Sequence, residues 1–282
     1  MTKTNSQKNT FASKDALAFW IPNRKEKEAI NRRSQLELIT QVDEIWELLK
    51  DNLGDVLAVD SPHTFHPEKF TYKELAENIS KAARAFSQLG VEPNDVVSLF
   101  AENSPRWLIA DQGLMRIGAT DSVRGATAPP SELRYILEDS NSVGLIVQNS
   151  DVWERISLDN NQIHSLKFVL QLEGKACEGV LEWESFLKKG LNGENLNKQE
   201  KIIERNSKRI ATILYTSGTT GKPKGVPLTH TNLLHQIRSL ACVANPPPGS
   251  PVLSVLPIWH SYERSAEYYF FSCGCTQTYT SI

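Results

Sequence analysis

The sequence is poor in cysteine, in charge of one sign and in long apolar runs, and each shortage excludes a class of protein. Four cysteines in 282 residues cannot hold a chain of this size together by disulfides, so we expect thiols in a reducing compartment. Cys273 and Cys275 lack a second pair at zinc spacing, which predicts no metal ligands here. The formal net charge of -2 leaves no basic excess for binding nucleic acid. No apolar run approaches the roughly 20 residues that span a bilayer.

The first forty residues are polar and mixed in charge, without the hydrophobic centre of a secretory signal. They are hydroxylated, basic and free of acidic residues until Asp15. This composition is compatible with a transit peptide, although a solvated terminus is its more common meaning. We therefore predict a polar N-terminal extension over residues 1–40, followed by a folded region over residues 41–282.

Helical and strand patterns alternate through that folded region. Thr71 and Glu74 form a capping box at the start of an amphipathic helix, which Gly90 ends. Ser104 and Pro105 open the next helix, and "PPSELRYILEDS" predicts a further capped helix. Short buried strands such as "DVVSLFA" and "VGLIVQ" separate them. The alternation predicts an α/β fold with mostly parallel sheets covered by helices.

A loop rich in glycine and hydroxyl groups, "YTSGTTGKPKG" over Tyr215–Gly225, follows an apolar β-branched strand and precedes a helical pattern. In α/β proteins, a strand, glycine-rich turn and helix present backbone amides to an anion at the carboxyl edge of the sheet. The glycines allow close approach of the main chain, while hydroxyl groups and lysine add donors and positive charge. The loop therefore predicts a cradle for a polyphosphate, with the hydroxyls of Thr216, Ser217, Thr219 and Thr220 and the ammonium of Lys224 as its donors.

Two other interpretations of this loop fit less well. A Walker A loop, and with it a P-loop ATPase, needs four residues between its glycine and its Gly-Lys-Ser/Thr. Here only two residues separate Gly218 from Gly221, and Lys222 precedes Pro223. A flexible surface loop explains three or four of these residues, but not the whole string.

A second cluster of chemically capable residues, "LPIWHSYER", follows a predicted strand over residues 252–256. His260 stands where binding groups concentrate in open α/β sheets, although spacing alone favours a structural histidine. Glu263 and Arg264 fit a local ion pair at a helix start as well as they fit a functional role. Tyr262 fits either an acyl pocket or the core. The segment "RWLIADQG", with Trp107 and Ile109, is interpreted as packing.

The string "YTSGTTGKPKGV" resembles the phosphate-binding signature of the AMP-forming acyl-activating ligases, the acyl-CoA synthetase superfamily. "LPIWH" resembles the next motif of that family, in which the position of His260 borders the acyl-adenylate. "HSYER", "RWLIADQG" and "VRG" (residues 123–125) are similar to the long-chain fatty-acid branch, and to acyl-acyl-carrier-protein synthetases of chloroplast and cyanobacterial type. The resemblance implies ATP phosphate binding by Thr216, Ser217, Gly218, Thr219, Thr220, Gly221 and Lys224, catalytic roles for Lys224 and His260, and substrate contacts from His260 and Tyr262.

The resemblance further implies ATP-dependent adenylation of a fatty acid, followed by thioester formation with coenzyme A or acyl carrier protein. Mg²⁺ is implied with ATP, its carboxylate ligand being expected beyond this sequence. The implied location is cytoplasmic, with a plastid or peripheral association with a membrane as alternatives. Chain length of the acyl group and choice of acceptor do not follow from the residues.

The sequence stops at "TQTYTSI", inside an apolar, β-prone run, and the resemblance covers less than half of a typical family member. We therefore expect residues 41–282 to be an incomplete N-terminal AMP-binding domain, with the small C-terminal domain absent, and we expect no turnover by the chain alone. The alternative is a non-catalytic remnant that binds nucleotide, since a phosphate cradle binds whether or not a reaction follows.

Overall fold

A computed structural model describes residues 33–191, 205–216 and 222–280. The chain divides into two compact units, residues 1–38 and residues 39–282. In the first unit residues 33–38 are helical. The elements and contacts below belong to the second unit.

The described part of the second unit contains eleven strands. In chain order they are β1 (Leu57–Ser61), β2 (Glu68–Thr71), β3 (Val96–Phe100), β4 (Thr120–Arg124), β5 (Gly144–Val147), β6 (Phe168–Gln171), β7 (Leu181–Glu182), β8 (Ile210–Thr216), β9 (Lys224–Thr229), β10 (Pro251–Ser254) and β11 (Thr276–Tyr279).

Nine helices accompany these strands within the described residues of that unit. They are α1 (Glu44–Leu53), α2 (Tyr72–Gln88), α3 (Pro105–Arg116), α4 (Pro130–Asp139), α5 (Ser150–Ile156), α6 (Asn160–Ser165), α7 (Trp183–Lys189), α8 (His230–Leu240) and α9 (Ser261–Ser272).

The strands form two sheets. The larger has the order β7-β6-β5-β3-β4-β8-β9 and is parallel except for β9, which pairs antiparallel with β8. The smaller has the order β10-β11-β1-β2, with only the β1–β2 pair antiparallel. Helices lie in most of the connections between parallel strands, as is usual for parallel crossovers, whereas β6 and β7 are joined by residues 172–180 without a helix. The predicted α/β fold with mostly parallel sheets is confirmed.

Local signals in the sequence set several helix boundaries. Thr71 and Glu74 form the predicted capping box of α2, and Gly90 follows the helix with a φ of 83°. The hydroxyl of Ser104 accepts a hydrogen bond from the backbone of Trp107 at the start of α3, as predicted. The predicted cap of α4 is wrong in its chemistry, because its N-cap residue is Pro129 and no side chain caps the helix.

The segment predicted to bind a polyphosphate is not followed directly by a helix, contrary to the prediction. The chain leaves β8, turns back and forms β9 along it, and only then enters α8. Strands β8 and β9 therefore form a β-hairpin, and the helix that follows begins only at His230. The stems of the hairpin are held by strand pairing, with Thr216 opposite Lys224 and Tyr215 opposite Gly225.

Candidate functional site

The chain connections that follow β4 and β8 leave the larger sheet in opposite directions. The two strands are neighbours, with Val123 opposite Leu214. The connection after β4 leads through α4 to β5, on the far side of β3, whereas the connection after β8 leads to β9 on the other side. Ligands of open α/β sheets bind outside the carboxyl ends of strands at such switch points. This edge is therefore the candidate site.

The structure places the two ends of the predicted phosphate loop at that edge. Thr216 ends β8 and Lys224 begins β9, and both residues are exposed and directly paired. A hydroxyl and an ammonium group thus stand side by side at the mouth of the hairpin. The other predicted phosphate ligands lie outside the described residues: Ser217, Gly218, Thr219, Thr220 and Gly221.

Helix α4 anchors both stems of the hairpin tip. Tyr215 donates a hydrogen bond from its hydroxyl to Asp139 Oδ2 at 2.8 Å, and Tyr135 donates to Asp139 Oδ1 at 3.1 Å. On the other stem, Lys222 Nζ lies 5.5 Å from the centroid of the Tyr135 ring. Burial, then the bond to Asp139, raises the pKa of Tyr215, so its hydroxyl remains a donor at neutral pH.

Gly225 is needed for the close pairing of these stems. A Cβ at this position would lie 3.0 Å from Ile213 Cγ2 and 3.2 Å from the Tyr215 hydroxyl oxygen. The absence of a side chain at Gly225 therefore leaves room for the Tyr215 ring over β9. Packing thus explains why this position of the motif is a glycine.

His260 occupies the residue immediately before α9, with its side chain exposed. Its backbone N–H donates to the carbonyl of Pro257 at 2.9 Å, and its carbonyl accepts from the backbone of Arg264 at 3.1 Å. The preceding turn is held by Asn103, which accepts from Ile258 N at 2.9 Å. The predicted strand before this turn is shorter than expected, because β10 ends at Ser254.

Trp259 packs the His260 segment onto the end of β4. A Cβ on Gly125 would come within 2.6 Å of the indole nitrogen, so the ring lies directly on that glycine. The guanidinium carbon of Arg124 lies 4.9 Å from the ring centroid, and the indole N–H donates to Glu102 Oε2 at 3.2 Å. Since β4 neighbours β8, the His260 segment and the phosphate loop are brought to the same edge.

Tyr262 is not a core residue. Its side chain is 71% exposed, and Val255 and Leu256 nearby in sequence are each 46% exposed. The alternative that placed this aromatic ring in the core is therefore wrong, and its contact with an acyl chain stays a prediction.

The interpretation of Glu263 and Arg264 as a local ion pair is also wrong. Glu263 accepts a hydrogen bond from the Ser254 hydroxyl at 2.8 Å. Arg264 points into the interior, where its guanidinium donates to Asp121 Oδ2 at 2.7 Å, to Thr212 Oγ1 at 2.7 Å and to Asp111. Arg264 pairs with distant carboxylates and not with its neighbour Glu263, because a buried guanidinium needs buried carboxylates around it.

Asp111 and Asp121 are buried partners of Arg264 that the sequence did not predict. Asp111 lies in the segment interpreted as packing, whose apolar residues Trp107, Leu108, Ile109 and Ala110 are indeed buried in the core. Trp107 also covers the Arg264 guanidinium, at 5.0 Å from the ring centroid. Burial raises the pKa of Asp121 to about 7, although the charge of Arg264 lowers it. An Asp on the apolar face of a predicted helix was the signal available in the sequence.

Among the described residues, no group of three or more His, Cys, Asp or Glu side chains could hold a metal ion. All four cysteines lie in described ranges and are thiols, not disulfide partners, as predicted. No helix within the described ranges combines the length and apolar character needed to cross a membrane.

An open α/β sheet with a hydroxyl group and a lysine paired at the carboxyl ends of its strands is typical of nucleotide-binding proteins. The AMP-binding enzyme family matches residues 51–281, and the chain belongs to this family. The family resemblance carried by the loop motif is thereby confirmed.

Curated relatives carry fatty-acid ligase names. The chain is 38% identical over 257 residues to a long-chain-fatty-acid–[acyl-carrier-protein] ligase, AEE15, chloroplastic, of Arabidopsis thaliana, covering 86% of this chain and 35% of that protein. It is 30% identical over 227 residues to the long-chain-fatty-acid–CoA ligase ACSBG2 of Gallus gallus, covering 78% of this chain and 30% of that protein. The chain thus spans about a third of the length of these relatives.

Solved structures share the fold. The inhibitor-bound N-terminal domain of FACL13 from Mycobacterium tuberculosis aligns with a TM-score of 0.73 at 20% identity, covering 86% of this chain and 57% of that one. The long-chain-fatty-acid-CoA ligase FadD1 from Archaeoglobus fulgidus aligns with a TM-score of 0.70 at 23% identity, covering 84% and 46%.

Proposed function

We propose that this chain is the phosphate-binding part of an ATP-dependent ligase that activates long-chain fatty acids. The observation that carries the proposal is the packing of Trp259 on Gly125, which brings His260 to the strand edge where Thr216 and Lys224 stand. The names of relatives at 38% and 30% identity support the fatty-acid substrate.

In the first half-reaction, a carboxylate oxygen of the fatty acid attacks the α-phosphorus of ATP. The bond from that phosphorus to the bridging oxygen breaks, and pyrophosphate leaves with the electron pair. The role assigned to Thr216, Lys224 and the loop residues 217–221 is to hold the β- and γ-phosphates as negative charge grows on them. Lys224 supplies the positive charge, and the hydroxyl of Thr216 donates a hydrogen bond.

In the second half-reaction, the sulfur of a thiol attacks the acyl carbon of the adenylate, and AMP leaves. The thiol proton is released to solvent or to a base. His260 is assigned to the border of the acyl-adenylate, and the exposed ring of Tyr262 to the path of the acyl chain. The acceptor thiol belongs to acyl carrier protein or to coenzyme A, and Mg²⁺ accompanies ATP with a ligand from outside the described residues.

Calorimetric titration of the full 282-residue chain with MgATP, followed by an assay of ATP–pyrophosphate exchange with hexadecanoate, tests the proposal. We expect binding of MgATP and no exchange, because the sequence predicts that the chain alone does not turn over. Exchange by the chain would overturn the predicted inactivity and support the ligase. Absence of MgATP binding would overturn the proposed function.

The remnant and the ligase differ in what they do beyond nucleotide binding. A hydrolysis-resistant acyl-adenylate analogue, hexadecanoyl sulfamoyl adenosine, provides the discriminating probe. A ligase site binds it more tightly than MgATP, because the acyl chain adds apolar contact. Equal affinity for this analogue and for sulfamoyl adenosine without the chain favours the nucleotide-binding remnant.

We also propose a plastid location instead of the cytoplasm. Two plant relatives, at 38% and 40% identity, carry the word chloroplastic in their names. The acid-free, hydroxylated start of the sequence is compatible with this location. Fusion of residues 1–40 to a fluorescent protein in plastid-bearing cells tests it, with cytoplasmic fluorescence as the contrary outcome.

A further inference from the structure

The turn that precedes His260 is fastened to the end of β3 by one side chain. Asn103 Oδ1 accepts a hydrogen bond from Ile258 N at 2.9 Å. Its Nδ2 donates to the carbonyl of Leu256 at 2.7 Å and to Ser254 Oγ at 2.9 Å. The carboxamide thus spans both sides of Pro257 and uses its acceptor and both donors at one turn.

The same stretch of chain that contains Asn103 also holds the far side of His260. Ser104 caps α3, and α3 then carries Asp111 to the guanidinium of Arg264. Arg264 lies in the first turn of α9, and its backbone N–H donates to the carbonyl of His260. His260 is therefore fixed before and after by residues 103–111.

Trp259 limits the remaining freedom of the turn. Its ring is confined between Gly125 and Arg124, with its N–H on Glu102, and its centroid lies 5.8 Å from that of the His260 ring. A change in the turn that moved His260 would have to move the indole out of this site. The conformation of the backbone at His260 is thus fixed by contacts with the residues that follow β3 and with the end of β4.

We propose that Asn103 is a positioning residue for His260: its carboxamide fixes the turn over residues 256–258, and with it the place of the imidazole relative to the end of β4. The inference rests on the proposed function, since it concerns the histidine assigned to the acyl-adenylate. A purely structural asparagine would affect stability and all ligands alike, whereas a positioning residue acts through His260 alone.

The ligand experiment uses the full 282-residue chain and two probes, hexadecanoyl sulfamoyl adenosine and MgATP. We expect Asn103→Ala to raise the Kd for the acyl-adenylate analogue roughly tenfold and to change the Kd for MgATP less than twofold. In a His260→Ala background, Asn103→Ala should cost no further affinity. Equal losses for both probes, or additive losses in the double variant, would overturn the proposal.

A matched control is available in Asn149, which caps α5 by accepting from Val152 N at 3.1 Å after the neighbouring strand β5. Asn149→Ala removes one asparagine hydrogen bond of a loop residue, and we expect it to leave the affinity for both probes unchanged. If Asn103→Ala fails to fold, Asn103→Asp serves instead. Aspartate keeps the acceptor for Ile258 N but sets a carboxylate oxygen against the Leu256 carbonyl in place of a donor, so a selective loss for the analogue is again expected.

A second readout needs no ligand and keeps this inference separate from the proposed function. In the chain with isotope-labelled histidine, the imidazole signals of His260 are those that disappear in His260→Gln. We expect Asn103→Ala to move these signals and Asn149→Ala to leave them in place. If the wild-type chain binds neither probe, the proposed function fails, while unmoved His260 signals in Asn103→Ala overturn the positioning role by themselves.

Discussion

The guanidinium of Arg264 on α9 donates a hydrogen bond of 2.7 Å to the carboxylate of Asp121 on β4, and both side chains are completely buried. A second carboxylate, Asp111 on α3, accepts from the same guanidinium, and Thr212 on β8 accepts from its other terminal nitrogen. One cation therefore ties a helix to two adjacent strands of the larger sheet and to a second helix.

Arg264→Leu is expected to lower the free energy of unfolding by about 3–5 kcal/mol, because it leaves two buried carboxylates without their cation. Urea denaturation followed by circular dichroism measures the change. Lys69→Met is the control, since Lys69 and Asp60 form a surface ion pair with side chains 65% and 39% exposed, for which a loss below about 1 kcal/mol is expected. Equal losses in the two variants would contradict the importance of the buried cluster.

Gly125→Ala is expected to displace the Trp259 indole, because the new Cβ would lie 2.6 Å from its nitrogen. Overpacking of this kind costs roughly 1–3 kcal/mol. The measurement is the free energy of unfolding, together with the tryptophan fluorescence spectrum. In a Trp259→Ala background the same glycine substitution should cost much less, because the clash is gone. A full cost in that background would show that the ring is not the obstacle.

Glu267 is expected to carry a proton near neutral pH, and Glu267→Gln tests this. The hydroxyl of Ser254 has one proton but faces two carboxylates, Glu263 at 2.8 Å and Glu267 at 3.3 Å. A proton on Glu267 Oε2 resolves this shortage, while Tyr279 donates to Oε1 at 2.7 Å. Burial raises the pKa of Glu267 from 4.5 to about 8.

Because the folded state binds this proton more tightly than the unfolded state, its contribution to stability is complete below about pH 4.5. The contribution is lost as the pH rises to about 8. Glutamine resembles the protonated carboxyl, so Glu267→Gln should make the wild-type decline in unfolding free energy between these pH values shallower. Denaturation curves at pH 5, 6.5 and 8 measure the slope. An unchanged slope in the variant would assign the decline to other groups.

Lys224→Ala is expected to weaken MgATP binding by roughly tenfold, because it removes a positive charge from the mouth of the hairpin. Lys224→Arg keeps the charge and should retain most of the affinity. Calorimetry at two salt concentrations gives the measurement, and the wild-type affinity should fall more steeply with salt than that of the alanine variant. Identical affinity for MgATP in the wild-type chain and both variants would show that Lys224 does not contact the phosphates.

The elements predicted correctly from the sequence are those whose signals are local. Thr71 and Glu74 lie three positions apart and cap α2, and Ser104 likewise bonds the backbone of Trp107. Such bonds form within one helical turn and depend little on the rest of the chain. The strand–helix alternation is similarly local and was sufficient for the fold class.

The hairpin at the phosphate loop was missed because β9 contains Pro227, which breaks a strand pattern. Pro227 pairs with Ile213 at the outer strand of the larger sheet, where proline is tolerated. The partners of Arg264 were missed because Asp111 and Asp121 lie 153 and 143 positions away. Contacts between residues so far apart in sequence depend on how whole helices and strands pack, and the residues next to Arg264 do not indicate which partners it will have.

The buried guanidinium has a mechanical consequence for the candidate site. Arg264 lies in the helix that begins directly after His260, and its hydrogen-bond partner Thr212 lies in the strand that ends at Thr216. The backbone segments that carry His260 and Thr216 are therefore both tied to Arg264. The relative position of these two backbone segments is therefore a property of the folded chain and does not depend on a bound substrate.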